Sequence, residues 1–230
     1  MNDDLSSMAQ LMLPAVDKEM RVILNFDGKP SEPFLGMMHY QMGWVDESLQ
    51  PIEPKSGKRI RPLVCLLAND AAGGDWRQAV PAAAAVEIIH NFSLVHDDIE
   101  DASPTRRGRP TVWKVWGEAQ AINSGDAMFT LAHMALGRLL ETGIPPATVV
   151  RAMQSFDETC FRLTAGQYAD MDFELRDKVT VDEYMAMITG KTAVLLSFSA
   201  EVGALVAGAP HEVVKNYAQV GLNLGLAFQV

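Results

Sequence analysis

An apolar stretch that ends in a cluster of carboxylates constrains this chain more than any other feature. Residues 86–101 follow helical spacing and close on Asp97, Asp98, Glu100 and Asp101. On a helix Asp97 and Asp101 lie on one face, with Asp98 beside them. Like charges at one helix end repel, and at a C-terminus the helix dipole adds to the cost. The pattern therefore predicts a bound cation at this end of the helix.

A basic segment follows the carboxylates, because a turn at residues 102–104 leads to Arg106 and Arg107. Hard oxygen ligands suit Mg²⁺, which keeps waters and joins carboxylates to phosphate oxygens, and Mn²⁺ is the second candidate. Two arginines nearby suit a diphosphate. His90 lies two turns before Asp97 and about 20° from the same line. The other interpretation of these residues is an acidic helix end followed by a basic surface loop.

Composition limits the kinds of molecule that we expect the protein to bind and the cell compartment in which we expect to find it. The chain has 29 acidic and 19 basic residues, and a net charge of −10 argues against nucleic acid as the main partner. Cys65 and Cys160 lie far apart and form no metal-binding pair, so we expect reduced, core-filling thiols. No apolar leader is visible at the N-terminus. The apolar run at residues 193–209 contains Glu201, which favours a buried helix over a membrane span. We expect a cytoplasmic protein.

Glycine and proline divide the sequence into helix-length segments, and no segment keeps the alternation that is typical of strands. We therefore expect an all-α fold in one domain, residues 1–230. Helices are predicted over about residues 8–27, 34–43, 57–72, 79–101, 111–117, 119–140 and 145–172, then after a cap at Thr180 or Asp182, and finally from Ala218.

Residues 57–62, with the sequence GKRIRP, open one of these helices. Lys58 and Arg61 are three residues apart, so on a helix both reach one anion while Arg59 points away. Cations in a first turn oppose the helix dipole, which favours a ligand-binding role. Surface salt bridges, which contribute little to stability, are the alternative.

Two later segments carry polar residues at helical spacing. Gln167 and Asp170 are three residues apart and share a face. Gly190, inside a predicted helix, favours a kink that frees a backbone carbonyl. That carbonyl and the neighbouring Thr192 hydroxyl would both present oxygen atoms with partial negative charge.

Taken together, these motifs resemble those of the trans-polyprenyl diphosphate synthases. The string HDDIED at residues 96–101, followed by RRGRPT at residues 106–111, is similar to the family's first aspartate-rich motif. GKRIRP, the Gly125-Asp126 pair, GQYAD at residues 166–170 and the Lys191-Thr192 pair match further family motifs. In the family, the string that ends at Gln229 leads into a second aspartate-rich motif. That motif is absent here, so we expect the C-terminal part of the fold to be missing.

The resemblance implies an antiparallel helical bundle around a central cavity, the isoprenoid synthase fold, and a role for each matching residue. The implied catalytic residues are Asp97, Asp98, Asp101, Arg106, Lys191, Thr192 and Gln229. The implied metal ligands are Asp97, Asp101 and Asp170. The implied substrate-binding residues are Lys58, Arg61, His90, Arg107 and Gln167. Asp126 is expected to be structural, and the helix at residues 119–140 is expected to form a homodimer contact.

The implied reaction condenses isopentenyl diphosphate with an allylic diphosphate (dimethylallyl, geranyl or farnesyl diphosphate), head to tail and with Mg²⁺. Three alternatives remain open. A class I terpene cyclase shares the aspartate motif but has no use for GKRIRP. A non-catalytic subunit of a heteromeric synthase tolerates the missing second motif, although such subunits usually lack the first. A helical scaffold protein does not need convergent acidic and basic residues.

Product length is expected to depend on the helix before Asp97. Ser93 lies about 6 Å below Asp97 and is small, while the bulky Ile89 lies about 12 Å below. Phe92 is about 140° from that face, so it narrows the cavity without flooring it. In the family, an aromatic residue five positions before the motif with a small one after it resembles the C20 type. We expect geranylgeranyl diphosphate, with farnesyl diphosphate as runner-up if Met128 or Phe129 closes the cavity earlier.

Overall fold

A computed structural model describes residues 2–25, 33–53 and 57–229 of the chain. Its α-helices are α1 (Asn2–Leu24), α2 (Phe34–Gln41), α3 (Ile60–Ala71), α4 (Val80–Glu100), α5 (Val112–Trp116), α6 (Glu118–Gly137), α7 (Pro146–Glu174), α8 (Val181–Ile188), α9 (Val194–Val206) and α10 (His211–Ala227). Short 3₁₀ turns at Trp76–Ala79 and Arg138–Thr142 precede α4 and follow α6, and a π-helical turn at Thr189–Ala193 joins α8 to α9.

The only strands in the described residues are β1 (Thr105–Arg106) and β2 (Arg109–Pro110), which form a small antiparallel hairpin. The prediction of an all-α fold is therefore confirmed. The central cavity stays a prediction.

Two predicted helix starts are wrong by more than one helical turn. Helix α1 begins at Asn2 rather than near residue 8, because the polar residues before Met8 extend the helix without adding to its apolar stripe. Helix α10 begins at His211 rather than at Ala218, directly after Pro210, and its buried Val214 lies one turn before the predicted start. The predicted end of the first helix at residues 28–30 lies outside the described residues.

The chain forms two compact units. The first contains Met1–Arg59 and Ala84–Ala135, and the second contains Ile60–Ala83 and Leu136–Val230. The prediction of one domain is not tested by this division, so each unit is described by itself.

In the first unit, α1 presents one apolar stripe. Met12, Val16, Met20 and Leu24 recur every four residues, and all four are fully buried. Helix α1 packs on α2, and α2 packs on α5. A fully buried side chain of this size contributes about 1.5–3 kcal/mol relative to exposure, so the stripe fixes the orientation of α1.

In the second unit, α9 is the central helix, with α3, α7 and α10 packed against it. Glycines permit these approaches: a Cβ on Gly203 would lie 2.2 Å from the Cys65 carbonyl oxygen, and one on Gly221 would lie 2.3 Å from that of Leu196. Asn69 adds a buried hydrogen bond, from Nδ2 to the Gly203 carbonyl, at 3.0 Å. Backbone contact at these glycines therefore sets how closely the helices pack.

The apolar run and the two cysteines are buried, as predicted. Eleven residues of α9 are buried. The longer segment Val181–Val206 has the length and composition of a membrane-spanning helix, yet more than half of it is buried inside the protein, as in a core helix. Cys65 and Cys160 are free and buried, and burial raises the pKa of each thiol to about 12.

Candidate active site

The carboxylates predicted as metal ligands lie at the C-terminal end of α4. The Asp101 N–H donates to the Asp97 carbonyl at 2.8 Å, which keeps the two residues one helical turn apart. The Ser103 N–H donates to the Asp98 carbonyl at 2.9 Å, and Ala102 adopts a left-handed φ of 48°. This turn ends the helix and reverses the chain toward the arginines.

The arginines lie on the β1–β2 hairpin, which sequence reasoning missed. Thr105 pairs with Pro110 and Arg106 with Arg109, so Arg107 and Gly108 form a two-residue turn. Both turn residues have positive φ, 52° and 74°, as a type I′ turn requires. Glycine adopts such a φ without strain, whereas a non-glycine residue pays about 1–2 kcal/mol. Arg107 is therefore held at the tip of the hairpin in a strained conformation.

One ion pair joins the hairpin to the acidic helix end. Arg106 Nε donates to Asp98 Oδ1 at 2.8 Å, and the Asp98 side chain is 2% exposed. Burial raises the pKa of the Asp98 carboxyl, and the attraction of Arg106 offsets this only in part. Asp98 Oδ2 is buried without a hydrogen-bond partner among the described residues. The pair uses Nε of Arg106, so both terminal nitrogens of its guanidinium group remain for an anion.

Arg107 reaches the GKRIRP segment. A Cβ built on Gly57 would lie 2.9 Å from Arg107 Nη2, so the guanidinium group rests directly on the Gly57 backbone. The exposed Lys58 is the next residue. Two residues predicted to bind isopentenyl diphosphate, Lys58 and Arg107, are therefore neighbours in the first unit.

The prediction that Lys58 and Arg61 are neighbours on one helix is wrong. Helix α3 begins at Ile60, and the residue before it, Arg59, has a left-handed φ of 50° that interrupts helical geometry. Arg59 is 7% exposed, and its guanidinium group forms an ion pair with Asp17 of α1 at 2.5 Å. Arg59 thus fixes the segment to α1.

The predicted chain-length residues lie on α4. Ile89 is 1% exposed, and Ser93 is half-buried, with its hydroxyl donating to the His90 carbonyl at 2.9 Å. Phe92 lies in a row of rings, 4.7 Å from His96 and 5.3 Å from Phe129 of α6, centroid to centroid. Phe92 is therefore directed toward α6.

In the second unit, Asp170 of α7 and Lys191 of the π-helical turn form an ion pair. Two glycines bring their backbones together: a Cβ on Gly166 would lie 2.2 Å from the Lys191 nitrogen and 2.5 Å from the Gly190 carbonyl carbon. The predicted interruption of the helix at Gly190 is present as the π-helical turn. Such turns often occur at functional sites.

Two further predicted residues meet beside this turn. Gln229 Nε2 donates to the Thr192 hydroxyl at 2.8 Å. The contact is possible because α10 approaches the turn closely, with a Cβ on Gly225 only 2.5 Å from Ala193 Cα. Gln167 is buried on α7, three residues before Asp170.

The predicted site residues therefore fall into two sets. The first unit holds Lys58, Ile89, His90, Phe92, Ser93, Asp97, Asp98, Asp101, Arg106 and Arg107, and the second holds Arg61, Gln167, Asp170, Lys191, Thr192 and Gln229. Within the described ranges no three His, Cys, Asp or Glu residues converge on a metal position. The carboxylate oxygens of Asp97 and Asp101 are hard ligands of the kind that Mg²⁺ prefers.

Sequence reasoning did not find Tyr40 of α2 or assign a role to Arg109. The Tyr40 hydroxyl donates to the Pro110 carbonyl at 2.7 Å, and the Arg109 guanidinium group lies 4.0 Å from the centre of the Tyr40 ring. These contacts join segments about seventy residues apart, as the separation of Tyr40 and Pro110 shows. No local pattern predicts them.

Comparison with known proteins assigns this arrangement to a class and then to a family. A solved structure of a polyprenyl synthetase from Streptomyces coelicolor A3(2) superposes with a TM-score of 0.89 at 35% identity, over 98% of this chain and 64% of that one. The fold is thus that of the isoprenoid synthases. The profile of the polyprenyl synthetase family matches residues 42–230, and the chain belongs to that family.

Two relatives of assigned activity are similar in sequence. A (2E,6E)-farnesyl diphosphate synthase of Mycobacterium tuberculosis is 46% identical over 194 residues, which cover 84% of this chain and 53% of that protein. A geranylgeranyl diphosphate synthase of Methanosarcina mazei is 44% identical over 174 residues, which cover 76% of this chain and 53% of that protein. The chain spans about half the length of these relatives.

Proposed function

We propose that the protein condenses an allylic diphosphate with isopentenyl diphosphate, head to tail, and releases diphosphate. The observation that carries this proposal is the ion pair between Arg106 and Asp98, which folds a basic hairpin onto the acidic end of α4. Carboxylates for a divalent ion and guanidinium groups for a diphosphate then lie side by side. Both relatives named above are synthases of prenyl diphosphates, which supports the same reaction class.

The charges of this chain have distinct proposed tasks. Asp97 and Asp101 would hold Mg²⁺, which when bound supplies electrostatic stabilisation of the leaving diphosphate. Arg106 binds the remaining charge of the allylic diphosphate. For Asp98 the geometry favours a positioning role, since its carboxylate is buried and bonded to Arg106.

The second substrate, isopentenyl diphosphate, is held in this proposal by three groups of the first unit: Lys58, His90 and Arg107. The allylic carbon–oxygen bond breaks, and the double bond of isopentenyl diphosphate attacks the allylic carbon to form the new carbon–carbon bond. A proton is then lost to the departed diphosphate. In the second unit, Arg61 and Lys191 are proposed to bind diphosphate, and Gln167, Thr192 and Gln229 to offer a cation oxygen atoms with partial negative charge.

We infer that the product is C20, with C15 as the alternative. Relatives of both product types are similar to this chain, so the comparison does not choose between them. Ser93 leaves room along α4, while Ile89 is buried deeper and Phe92 is directed toward α6. These features support a cavity that closes after four isoprene units.

A cytoplasmic homodimer is the proposed working form. Free buried cysteines fit a reducing compartment. Helix α6 exposes two large apolar side chains, Ile122 and Met134, at 44% and 43%, and such side chains suit a subunit contact.

The reaction class is tested with protein expressed from the full reading frame that contains these residues, given Mg²⁺ and geranyl diphosphate. We expect prenyl products only when isopentenyl diphosphate is added. A terpene cyclase would release diphosphate without it, and a scaffold or a non-catalytic subunit would form no product. Asp97→Ala should lower turnover by at least about 10²-fold, because it removes stabilisation of the leaving group. Turnover within tenfold of the parent would contradict the metal assignment.

Product length is tested by chromatography of the dephosphorylated products. We expect C20 from the parent protein and longer chains from Phe92→Ala, because truncation of the ring widens the cavity beside α6. A parent product of C30 or longer, or no lengthening in the variant, would show that Phe92 does not limit the chain.

A further inference from the structure

The hairpin that carries Arg106 and Arg107 is too small to hold its own shape. It contains two paired positions, and an isolated two-stranded hairpin is marginally stable in water even when longer. Arg106 and Arg109 are directly opposite each other, where like charges are destabilising. Contacts from outside the hairpin must therefore fix it.

Arg109 makes two such contacts. Its guanidinium group lies over the face of Tyr40, 4.0 Å from the ring centre, and its Nη2 donates to the Val45 carbonyl at 2.7 Å. A cation over an aromatic face is attracted by the ring, and the attraction is stronger when the pair is desolvated. The charge of Arg109 is thus directed away from Arg106 and toward α2.

Tyr40 holds the same strand by its hydroxyl. It donates to the Pro110 carbonyl at 2.7 Å and also contacts Glu47 Oε1 at 3.1 Å, and the residue is 4% exposed. Its ring packs edge-on against Trp116, with 5.0 Å between centroids. Burial raises the pKa of the Tyr40 hydroxyl to about 12, so it remains a donor.

The segment that receives Arg109 is itself closed. Val45 bridges Pro51, the Ile52 N–H donates to the Trp44 carbonyl at 3.0 Å, and the Asp46 carboxylate accepts from the Gln50 N–H at 2.9 Å. The segment is therefore a rigid support rather than a loose loop.

We propose that Arg109 and Tyr40 are positioning residues that hold the hairpin so that Arg106 and Arg107 present their guanidinium groups to the substrate diphosphates. The two contacts of the Arg109 guanidinium group, with the Tyr40 ring and the Val45 carbonyl, both tie the hairpin to the segment around α2. Arg106 is fixed on the other side by Asp98, so the hairpin is held from α2 and from α4. This inference rests on the proposed function of the arginines.

The test measures the binding of isopentenyl diphosphate by calorimetry to protein from the full reading frame. Arg109→Leu and Tyr40→Leu should each weaken binding about tenfold, the loss expected when a charge-assisted hydrogen bond to the ligand is misaligned. Tyr40→Leu changes no charge, which separates positioning from long-range electrostatics. The matched control is Arg77→Leu, because Arg77 also lies over an aromatic ring, that of Trp76, at 4.6 Å. We expect Arg77→Leu to bind as the parent does.

A double variant distinguishes positioning from a general loss of structure. If Arg109 acts through the hairpin, Arg107→Leu with Arg109→Leu should bind no more weakly than Arg107→Leu alone. Additive losses, or an Arg109→Leu affinity equal to that of Arg77→Leu, would overturn the inference while the proposed function stands. A parent protein that does not bind isopentenyl diphosphate would overturn both. If the leucine variants do not fold, the test uses Arg109→Lys, which keeps the charge but loses the planar contact with the Tyr40 ring. Binding of isopentenyl diphosphate equal to that of the parent would then contradict the positioning role.

Discussion

Each unit of the molecule contains a carboxylate–cation pair among the proposed active-site residues, and the two pairs are built in opposite ways. Asp98 and Arg106 are eight residues apart, joined by the turn after α4 and the hairpin. Asp170 and Lys191 are twenty-one residues apart and come from α7 and the π-helical turn. The Asp98 side chain is 2% exposed, whereas that of Asp170 is 33% exposed.

This difference determines what each pair is sensitive to. The first pair depends on burial and charge. The buried Asp98 carboxylate is bonded to Arg106 through one oxygen, and its other oxygen has no hydrogen-bond partner among the described residues. The second depends on volume, because Gly166 and Gly190 let the two backbones touch before any side chain interacts. Protonation of its buried carboxylate should affect the first pair, and a single added methyl group should affect the second.

The largest expected effect is that of Gly166→Ala. Its Cβ would lie 2.2 Å from the Lys191 nitrogen, and backbone atoms cannot rotate away as side chains do. We expect the free energy of unfolding in urea to fall by about 3 kcal/mol, at the upper end for overpacking. The control is Gly137→Ala, whose Cβ would meet only Met153 Cε at an ordinary 3.7 Å and which should be neutral or stabilising. Equal stabilities for the two variants would show that the π-helical turn yields easily.

A smaller effect is expected from Asp98→Asn, compared with Asp170→Asn. Asparagine keeps an acceptor for Arg106, whose side chain is 33% exposed and remains solvated, so the loss at pH 7 should be within about 1 kcal/mol. Asp170→Asn removes a partly exposed pair and should also cost about 1 kcal/mol or less. The two variants should differ in how the cost depends on pH.

The direction in which stability changes with pH follows from the raised pKa of the Asp98 carboxyl. Burial makes the folded state bind a proton more readily than the unfolded state, so ionised Asp98 destabilises the fold at pH values above its folded pKa. That penalty disappears as the pH falls below the ordinary value of 3.8. The parent protein should therefore gain stability relative to Asp98→Asn as the pH is lowered from 7 toward 4, as measured by urea unfolding at each pH. A constant difference across this range would contradict the burial effect.

The same contrast explains what the sequence predicts about the fold and the site. Residues fixed by local geometry were predictable: Asp97 and Asp101 by their helical spacing, and the start of α8 by a cap that the sequence placed at Thr180 or Asp182 and that the structure has at Thr180. Contacts set by packing were not. The approach of Gly166 to Gly190 and the pairing of Arg59 with Asp17 depend on elements brought together by the whole fold.

The hairpin is an intermediate case. Arg107 followed by Gly108 is not one of the glycine- and asparagine-rich pairs that signal a type I′ turn, so the local pattern indicated only a loop. Its position depends on Tyr40 and Asp98, which hold it from two sides. Arg107 therefore keeps its strained backbone conformation because the surrounding structure holds the hairpin in place.

The smallest expected effect concerns the N-terminal cap of α8, the helix that leads into the π-helical turn. Thr180 and Glu183 form a reciprocal capping box at the start of α8, and Arg176 Nη2 donates to Glu183 Oε1 at 2.6 Å. The Thr180 backbone N–H, followed by Arg176, lowers the pKa of the Glu183 carboxyl to about 2.

Glu183→Gln should therefore lower the urea midpoint slightly at pH 6, because a charge that accepts the cap hydrogen bonds is lost. A carboxyl whose folded pKa is lowered contributes stability above its unfolded value, near 4.5, and loses that stability as the pH falls toward 2. The difference from the parent should accordingly shrink across this window. The control is Glu141→Gln, which breaks an exposed pair with Arg138 at 3.0 Å and involves no cap, so its midpoint should match the parent. If both variants behave alike at every pH, the cap adds nothing beyond an ordinary surface charge, and local geometry at α8 does not support the turn that carries Lys191.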